Sequence, residues 1–240
     1  MEKFEPVTNS RARTRLREEY DLPTDRRIVL HVGHIKHGRN VHWLTDVQAI
    51  EGVQVLVIGS TTTEPESEVH AKLLDAGCDV RIEYFPSIED LYAISDVYVF
   101  PTTSEFDAIR CPASVMEALA TGTPAISTRF GALPDLFDSS SGAVTFVDSR
   151  AELRERVTDE GAFEGSDPRN AVEPYDWENV ITTIVREYGC AVGDSDRCLS
   201  GQQGPNRPDI YQSGRDRDRA PREESREDHE CERDPPGDVN

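Results

Sequence analysis

Lysine is nearly missing from this chain. Of 26 basic residues among 240, only Lys3, Lys36 and Lys72 are lysines, and 46 acidic residues bring the formal net charge to −20. A field of that sign repels the phosphates of nucleic acid and anionic membrane surfaces, so binding to either is disfavoured. The preference for arginine together with the acidic excess reads as the composition of a salt-adapted proteome with GC-rich coding, the alternative being an ordinary acidic protein. Long apolar runs are missing too: nothing approaches the roughly 20 residues of a membrane helix, and the N-terminal MEKFEPVTNS has no apolar signal region. No integral membrane segment is expected, and the protein reads as cytoplasmic, docking at most peripherally on a membrane. Cys78, Cys111, Cys190, Cys198 and Cys231 show no paired spacing and no histidine at zinc-ligand distance, so reduced thiols are expected. His31 and His34 fall on opposite faces if the strand continues, and His34 and His37 lie in a loop, so a metal site would need a third ligand; these histidines read as satisfied polar side chains, with no metal assigned. Ser104, Ser114 and Ser127 stand in no G-x-S-x-G elbow and Cys111 has no evident base, which argues against covalent catalysis.

What is present is a regular alternation of strands and helices. Strands are expected near Arg27–Gly33, Val53–Gly59, Val80–Phe85, Asp96–Pro101, Pro124–Thr128 and Ala143–Val147, with helices near Val41–Ile50, Glu66–Ala76, Ile88–Ile94, Pro112–Thr121 and Arg150–Thr158. Such alternation implies an α/β fold, a parallel sheet with helices on both faces, whose ligands sit outside the carboxyl ends of the strands. Gly33, Gly59, Phe85 and Pro101 would stand at those ends. Residues 1–26 read as a linker and lead-in helix, with Ser10 as N-cap of Arg11 to Tyr20, and residues 27–188 as the domain. Residues 189–240 are rich in Asp, Arg, Pro, Gly and Ser, without aliphatic pattern, and are expected to be a disordered tail. It reads as an acidic interaction tail or as translation past a frameshift.

Two stretches carry chemistry. From Glu105 to Gly131, EFDAIRCPASVMEALATGTPAISTRFG leads from a strand end into a helix that is apolar or small nearly all round. Glu117 is the charge in the middle of that helix, and a buried carboxylate needs a hydrogen-bond donor from protein, water or ligand. Gly33 to Asn40, GHIKHGRN, follows the first strand; its glycines let the backbone approach phosphate, and Lys36 and Arg39 supply positive charge.

PTTSEF and SVMEALATGTPAISTRFGALPDL resemble the nucleotide-binding half of the group 1, or family 4, retaining glycosyltransferases, whose pattern is E-x7-E-A-M-A-x-G-x-P-V-V-x-[ST]-x-x-G-[GA]-x-P-E. RRIVLHVGHIKHGRNVHWL, VQVLVIGS, VRIEYFPSIEDLYAISDVYVFP and YDWENVITTIVREY resemble that family's other strands and helices, extending the match from about Lys3 to Tyr188. The resemblance implies a Rossmann-like domain, one half of a GT-B fold, that binds a nucleotide diphosphate sugar without a further cofactor and serves transfer to an acceptor hydroxyl with retention. It implies a donor site at Gly33, Lys36, Arg39, Gly59, Phe85, Pro86, Ala113, Ser114 and Glu117, with Glu117 on the ribose. Glu105, Lys36 and Arg39 are the residues expected at the reacting centre. Glu105 stands twelve positions before Glu117 where the family has eight, so its role is open between Glu105, Asp107 and backbone near Ala108 and Ile109. The phosphate loop departs from the usual G-R-x4-K-G, with His34 at the Arg position and a length that reads as two residues shorter. The acceptor-binding N-terminal domain is expected elsewhere, including as a separately encoded partner. A non-catalytic nucleotide-sugar-binding module and an inactive gene fragment stay open. A nucleotide-sugar epimerase fits EALATGTP less well.

The charge of −20 generates a first expectation. Salt screens self-repulsion and favours burial, so the thermal midpoint should rise from dilute buffer to molar salt in a calorimetric series; a maximum in dilute buffer would refute salt adaptation.

Overall fold

The computed structural model describes residues 2–137, 142–159 and 161–191, so nearly all of the expected tail lies outside the described residues. Six strands, β1 (Arg27–Gly33), β2 (Val53–Gly59), β3 (Asp79–Arg81), β4 (Val97–Phe100), β5 (Ala125–Ser127) and β6 (Val144–Phe146), form one sheet in the order β3-β2-β1-β4-β5-β6. Every pairing is parallel. The helices are α1 (Ser10–Glu19), α2 (Leu44–Gln48), α3 (Ser67–Asp75), α4 (Ile88–Ala93), α5 (Ala113–Ala120), α6 (Leu133–Leu136), α7 (Arg150–Thr158), α8 (Pro168–Val172) and α9 (Trp177–Ala191). The architecture is the expected Rossmann-like one. α9 continues three residues past the expected domain end, through Gly189, Cys190 and Ala191.

Strand side chains alternate faces, so one apolar run feeds two cores. Ile28, Leu30, Leu56, Ile58, Tyr98 and Phe100 pack with α4, α5 and α8. Val29, Val55, Val57, Val97 and Val99 pack with α2, α3 and α7.

β3 is shorter than its sequence suggests. It pairs only with β2, in a register that reaches Ile58↔Arg81, and β2 ends at Gly59, so residues 83–85 have no strand beside them. Phe85 and Pro86 therefore belong to the loop before α4, not to a strand end. Asn9, not Ser10, caps α1: its Oδ1 accepts from the Arg11 and Ala12 N–H groups at 2.9 and 3.3 Å. Pro112 stands at the N-cap position of α5.

The lead-in segment is fastened at the end of the sheet remote from the strand C-termini. Arg17, 7% exposed, donates to the Ile94 carbonyl at 2.7 and 3.0 Å and to the Arg26 carbonyl at 3.1 Å. It also pairs with Asp96, whose two oxygens further accept from Arg13 at 2.8 Å and from the Ile28 N–H at 2.7 Å. Asp96→Ala would strand a buried guanidinium and a strand N–H. Loss of one partner of a buried pair costs about 3 kcal/mol, and urea unfolding should show a drop of that order, with Asp96→Asn falling between.

Candidate functional site

β1 pairs with β2 along its whole length but with β4 only at Val29↔Val97 and Leu30↔Tyr98. Strand order reverses direction between these two neighbours, and open parallel sheets bind ligands at such a point. A cleft of about 340 Å³ opens there, lined by Val32, Gly33, His34 and Arg39 after β1, Ile58, Gly59 and Ser60 after β2, Phe100 of β4, and Ala108, Ile109, Pro112, Ala113 and Ser114 at the start of α5.

Two loops meet across it. Arg39 Nε donates to the Asp107 carbonyl at 2.8 Å, and Asn40 Nδ2 donates to the Pro101 carbonyl at 3.0 Å and to Thr103 Oγ1 at 2.9 Å. Asn40 does so from a left-handed backbone, φ 54° and ψ 22°, which its short amide side chain tolerates better than most. Arg39 stands five residues after His34, and Asn40 occupies the glycine position of G-R-x4-K-G in a glycine-like conformation. The loop therefore keeps the family spacing and is not shortened. On the far side of the cleft, Gly131 has φ 57°, and a Cβ there would collide with the Arg110 carbonyl, which accepts from the Ala132 N–H at 2.8 Å. The loop after β5 thus braces the one after β4.

The electrostatics favour an anion. Pro112 gives α5 no side-chain cap, so the first N–H groups of the helix stay available beside Ala113 and Ser114, at its positive end. Arg39 adds a positive charge, its pKa lowered by burial against the opposing pull of Tyr98 and Asp107. His34 is held below its ordinary pKa by burial and then by the Arg39 and Lys36 charges. Beneath the cleft, Tyr98 donates to the Val32 carbonyl at 3.2 Å and is hydrogen-bonded to Ser114, its own ionisation suppressed by burial.

The expected residues divide. Gly33, Arg39, Gly59, Ala113 and Ser114 line the cleft. Lys36 is half-buried in the same loop, N-terminal to the 3-10 turn His37–Arg39, without lining it. Glu117 follows Ala113 by one turn on α5, half-buried, and accepts from the Tyr92 hydroxyl at 2.9 Å. That hydroxyl is the protein donor its carboxylate needs. Glu105 is exposed and stands off the cleft, whereas Asp107, Ala108 and Ile109 approach it. Phe85 packs against Tyr20, ring centroids 6.3 Å apart, and Pro86 is exposed; neither lines the cleft. His31 is not the satisfied histidine expected: its Nε2 is buried without a partner. Sequence reasoning passed over Tyr92, Tyr98 and Asn40, whose partners lie 25 or more positions away.

Among the described residues no group of three or more His, Cys, Asp or Glu could hold a metal ion, and no helix is long and apolar enough to cross a membrane. Cys78 is a buried free thiol, pushed up to about 12 by burial, and Cys111 an exposed one.

A six-stranded parallel sheet with a cleft where β1 and β4 part defines a Rossmann-like α/β domain. The family model for glycosyl transferases group 1 matches residues 26–159, more than half of the sequence, and the chain belongs to that family. A D-inositol 3-phosphate glycosyltransferase of Mycolicibacterium smegmatis is 26% identical over 202 residues, 76% of this chain and 44% of that protein. The solved structure of Anabaena HepE in complex with UDP-glucose shares the fold with a TM-score of 0.64 at 16% identity, over 79% of this chain and 55% of that one. The C-terminal domain of a group 1 family glycosyl transferase from Francisella tularensis shares it with a TM-score of 0.54 at 19% identity, over 71% of this chain and 94% of that one. The chain thus spans less than half the length of the curated relative.

The Asn40 clamp can be tested directly. Asn40→Ala combines left-handed strain with loss of two hydrogen bonds and should destabilise by about 2 kcal/mol in chemical denaturation. Asn40→Gly, free of the strain, should lose less.

Proposed function

We propose that this domain binds the nucleotide diphosphate sugar donor of a group 1 glycosyltransferase, for transfer to an acceptor hydroxyl with retention at the anomeric carbon and without a further cofactor. The observation that carries this reading is the position of Arg39, fixed by the Asp107 carbonyl at the mouth of a cleft whose other wall is the uncapped start of α5. Arg39, Lys36 and the helix N–H groups stabilise charge on the departing diphosphate, a preorganised electrostatic effect. Glu117, held by Tyr92, keeps its second oxygen for ribose hydroxyls. Asp107 with the backbone of Ala108 and Ile109 takes the place at the cleft for which Glu105 was a candidate.

The relatives' greater length supports a second domain as partner, in the same polypeptide or a separate one. Trp177, Ile181, Ile184, Val185 and Tyr188 form an exposed apolar stripe along α9 on which such a domain would dock. Without it, donor binding is weak and transfer does not proceed. The acidic, arginine-based composition supports work at high salt, and with it a cytoplasmic setting.

Calorimetry with UDP, GDP and ADP tests the donor site. Glu117→Gln and Arg39→Ala should each weaken the tightest-binding of these by roughly 1–3 kcal/mol, the range for hydrogen bonds to charged groups. The corresponding nucleoside should feel Glu117→Gln and ignore Arg39→Ala. Folded protein that binds none of the three, or is indifferent to both changes, would leave the inactive-fragment reading in its place.

A further inference from the structure

His31 is wholly buried on β1, two residues before Gly33 of the cleft lining. Its Nδ1 lies 2.9 Å from the Val99 carbonyl. A carbonyl only accepts, so the proton sits on Nδ1 and Nε2 presents a lone pair. Burial keeps the ring neutral, holding its pKa at about 4 against the opposing Val99 bond, and the nearby Arg39 charge acts in the same direction as burial. Nε2 has no partner. Buried acceptors are rarely left so, and an orphan next to a cleft residue asks for a donor.

The surroundings of Gly33 identify one. A Cβ built on Gly33 would lie 3.4 Å from His31 Nε2 and 2.9 Å from Arg39 Nη1. The missing side chain at position 33 thus leaves a gap bordered by both a histidine acceptor and a guanidinium donor. Arg39 is already held at Nε by the Asp107 carbonyl, so its remaining freedom is a swing of the Nη groups about that anchor. The Tyr98 hydroxyl, whose ring stacks beside that of His31, already donates to the Val32 carbonyl, whereas Arg39 Nη1 shares the Gly33 gap with Nε2.

We propose that His31 is a positioning residue for Arg39: when a diphosphate enters the cleft, Arg39 Nη1 donates to His31 Nε2 across the Gly33 gap. The guanidinium is then fixed at two points, the Asp107 carbonyl and the His31 ring, and its remaining N–H groups face the anion in one orientation. Such a fork loses less freedom on binding than a lysine would. A neutral histidine suits the task, because an imidazolium would repel Arg39 and a carboxylate would neutralise the charge meant for the ligand. The inference rests on the reading of the cleft as a diphosphate site and adds a residue that the family pattern does not contain.

The test uses the full chain and whichever of UDP, GDP and ADP binds tightest, with its nucleoside as control. His31→Phe keeps the ring and removes the acceptor; it should weaken the diphosphate about tenfold and leave the nucleoside unchanged. His31→Gln, whose Oε1 can replace the Nε2 lone pair, should recover most of the loss. In an Arg39→Ala background His31→Phe should have no further effect, because the two act as one unit. If the substituted proteins fold poorly, imidazole nitrogen NMR of the parent decides instead: Nε2 should move upfield when the diphosphate is added and stay still with the nucleoside. Unchanged diphosphate affinity in folded His31→Phe, an equal loss with and without Arg39, or an unmoved Nε2 resonance overturns the proposal. Those results leave the donor reading standing if Arg39→Ala and Glu117→Gln still weaken binding. A parent that binds no nucleoside diphosphate overturns both.

Discussion

The junction between β1 and β4 is the constraint from which the rest of this domain follows. Both strands run the same way, so their following loops emerge at one edge, yet they are paired only at Val29↔Val97 and Leu30↔Tyr98. Past that point each backbone needs other partners. Tyr98 serves the Val32 carbonyl, His31 serves Val99, and Asn40 serves Pro101. Side chains thus take over from the ladder where the strands part. The cleft is the space so opened, and its polar lining is a by-product of satisfying the sheet's own backbone.

This explains which parts of the molecule were legible in the sequence. β1, β2 and β4 are buried on both faces and α5 buries Val115, Ala118, Leu119 and Ala120, so their apolar runs announce them, and the expected parallel sheet follows from their alternation. β3 depends on where its neighbour stops. The excess residues around Tyr84 and Phe85 look strand-like in isolation because β propensity reports a half-buried surface and not pairing. The Glu105 ambiguity has the same origin: spacing alone could not say which part of the loop between Pro101 and Pro112 approaches the cleft, where Arg39 meets the Asp107 carbonyl and Ala108 and Ile109 form the lining. Glu117 was legible as a carboxylate in need of a donor, but Tyr92, which supplies one, lies on another helix.

Charge is distributed with the same economy. A chain at −20 repels anions at long range, so an anionic ligand must be drawn in by groups acting within a few ångströms. Arg39 and the start of α5 meet at the cleft, with Lys36 in the same loop as Arg39, and at high ionic strength the distant acidic residues are screened while such close contacts persist. The Arg17 and Asp96 cluster at the opposite end of the sheet is self-contained, each charge answered by its neighbour or by a carbonyl.

Position 39 carries an arginine in a loop where the family form has lysine. A lysine in a half-buried site can lose its proton as its surroundings dry out, whereas a guanidinium stays charged at any pH the fold survives. Both histidines of the cleft, His31 and His34, are displaced toward neutrality. Charging of either histidine is thereby pushed to more acid conditions, and the standing positive charge at the cleft is left to the Arg39 guanidinium.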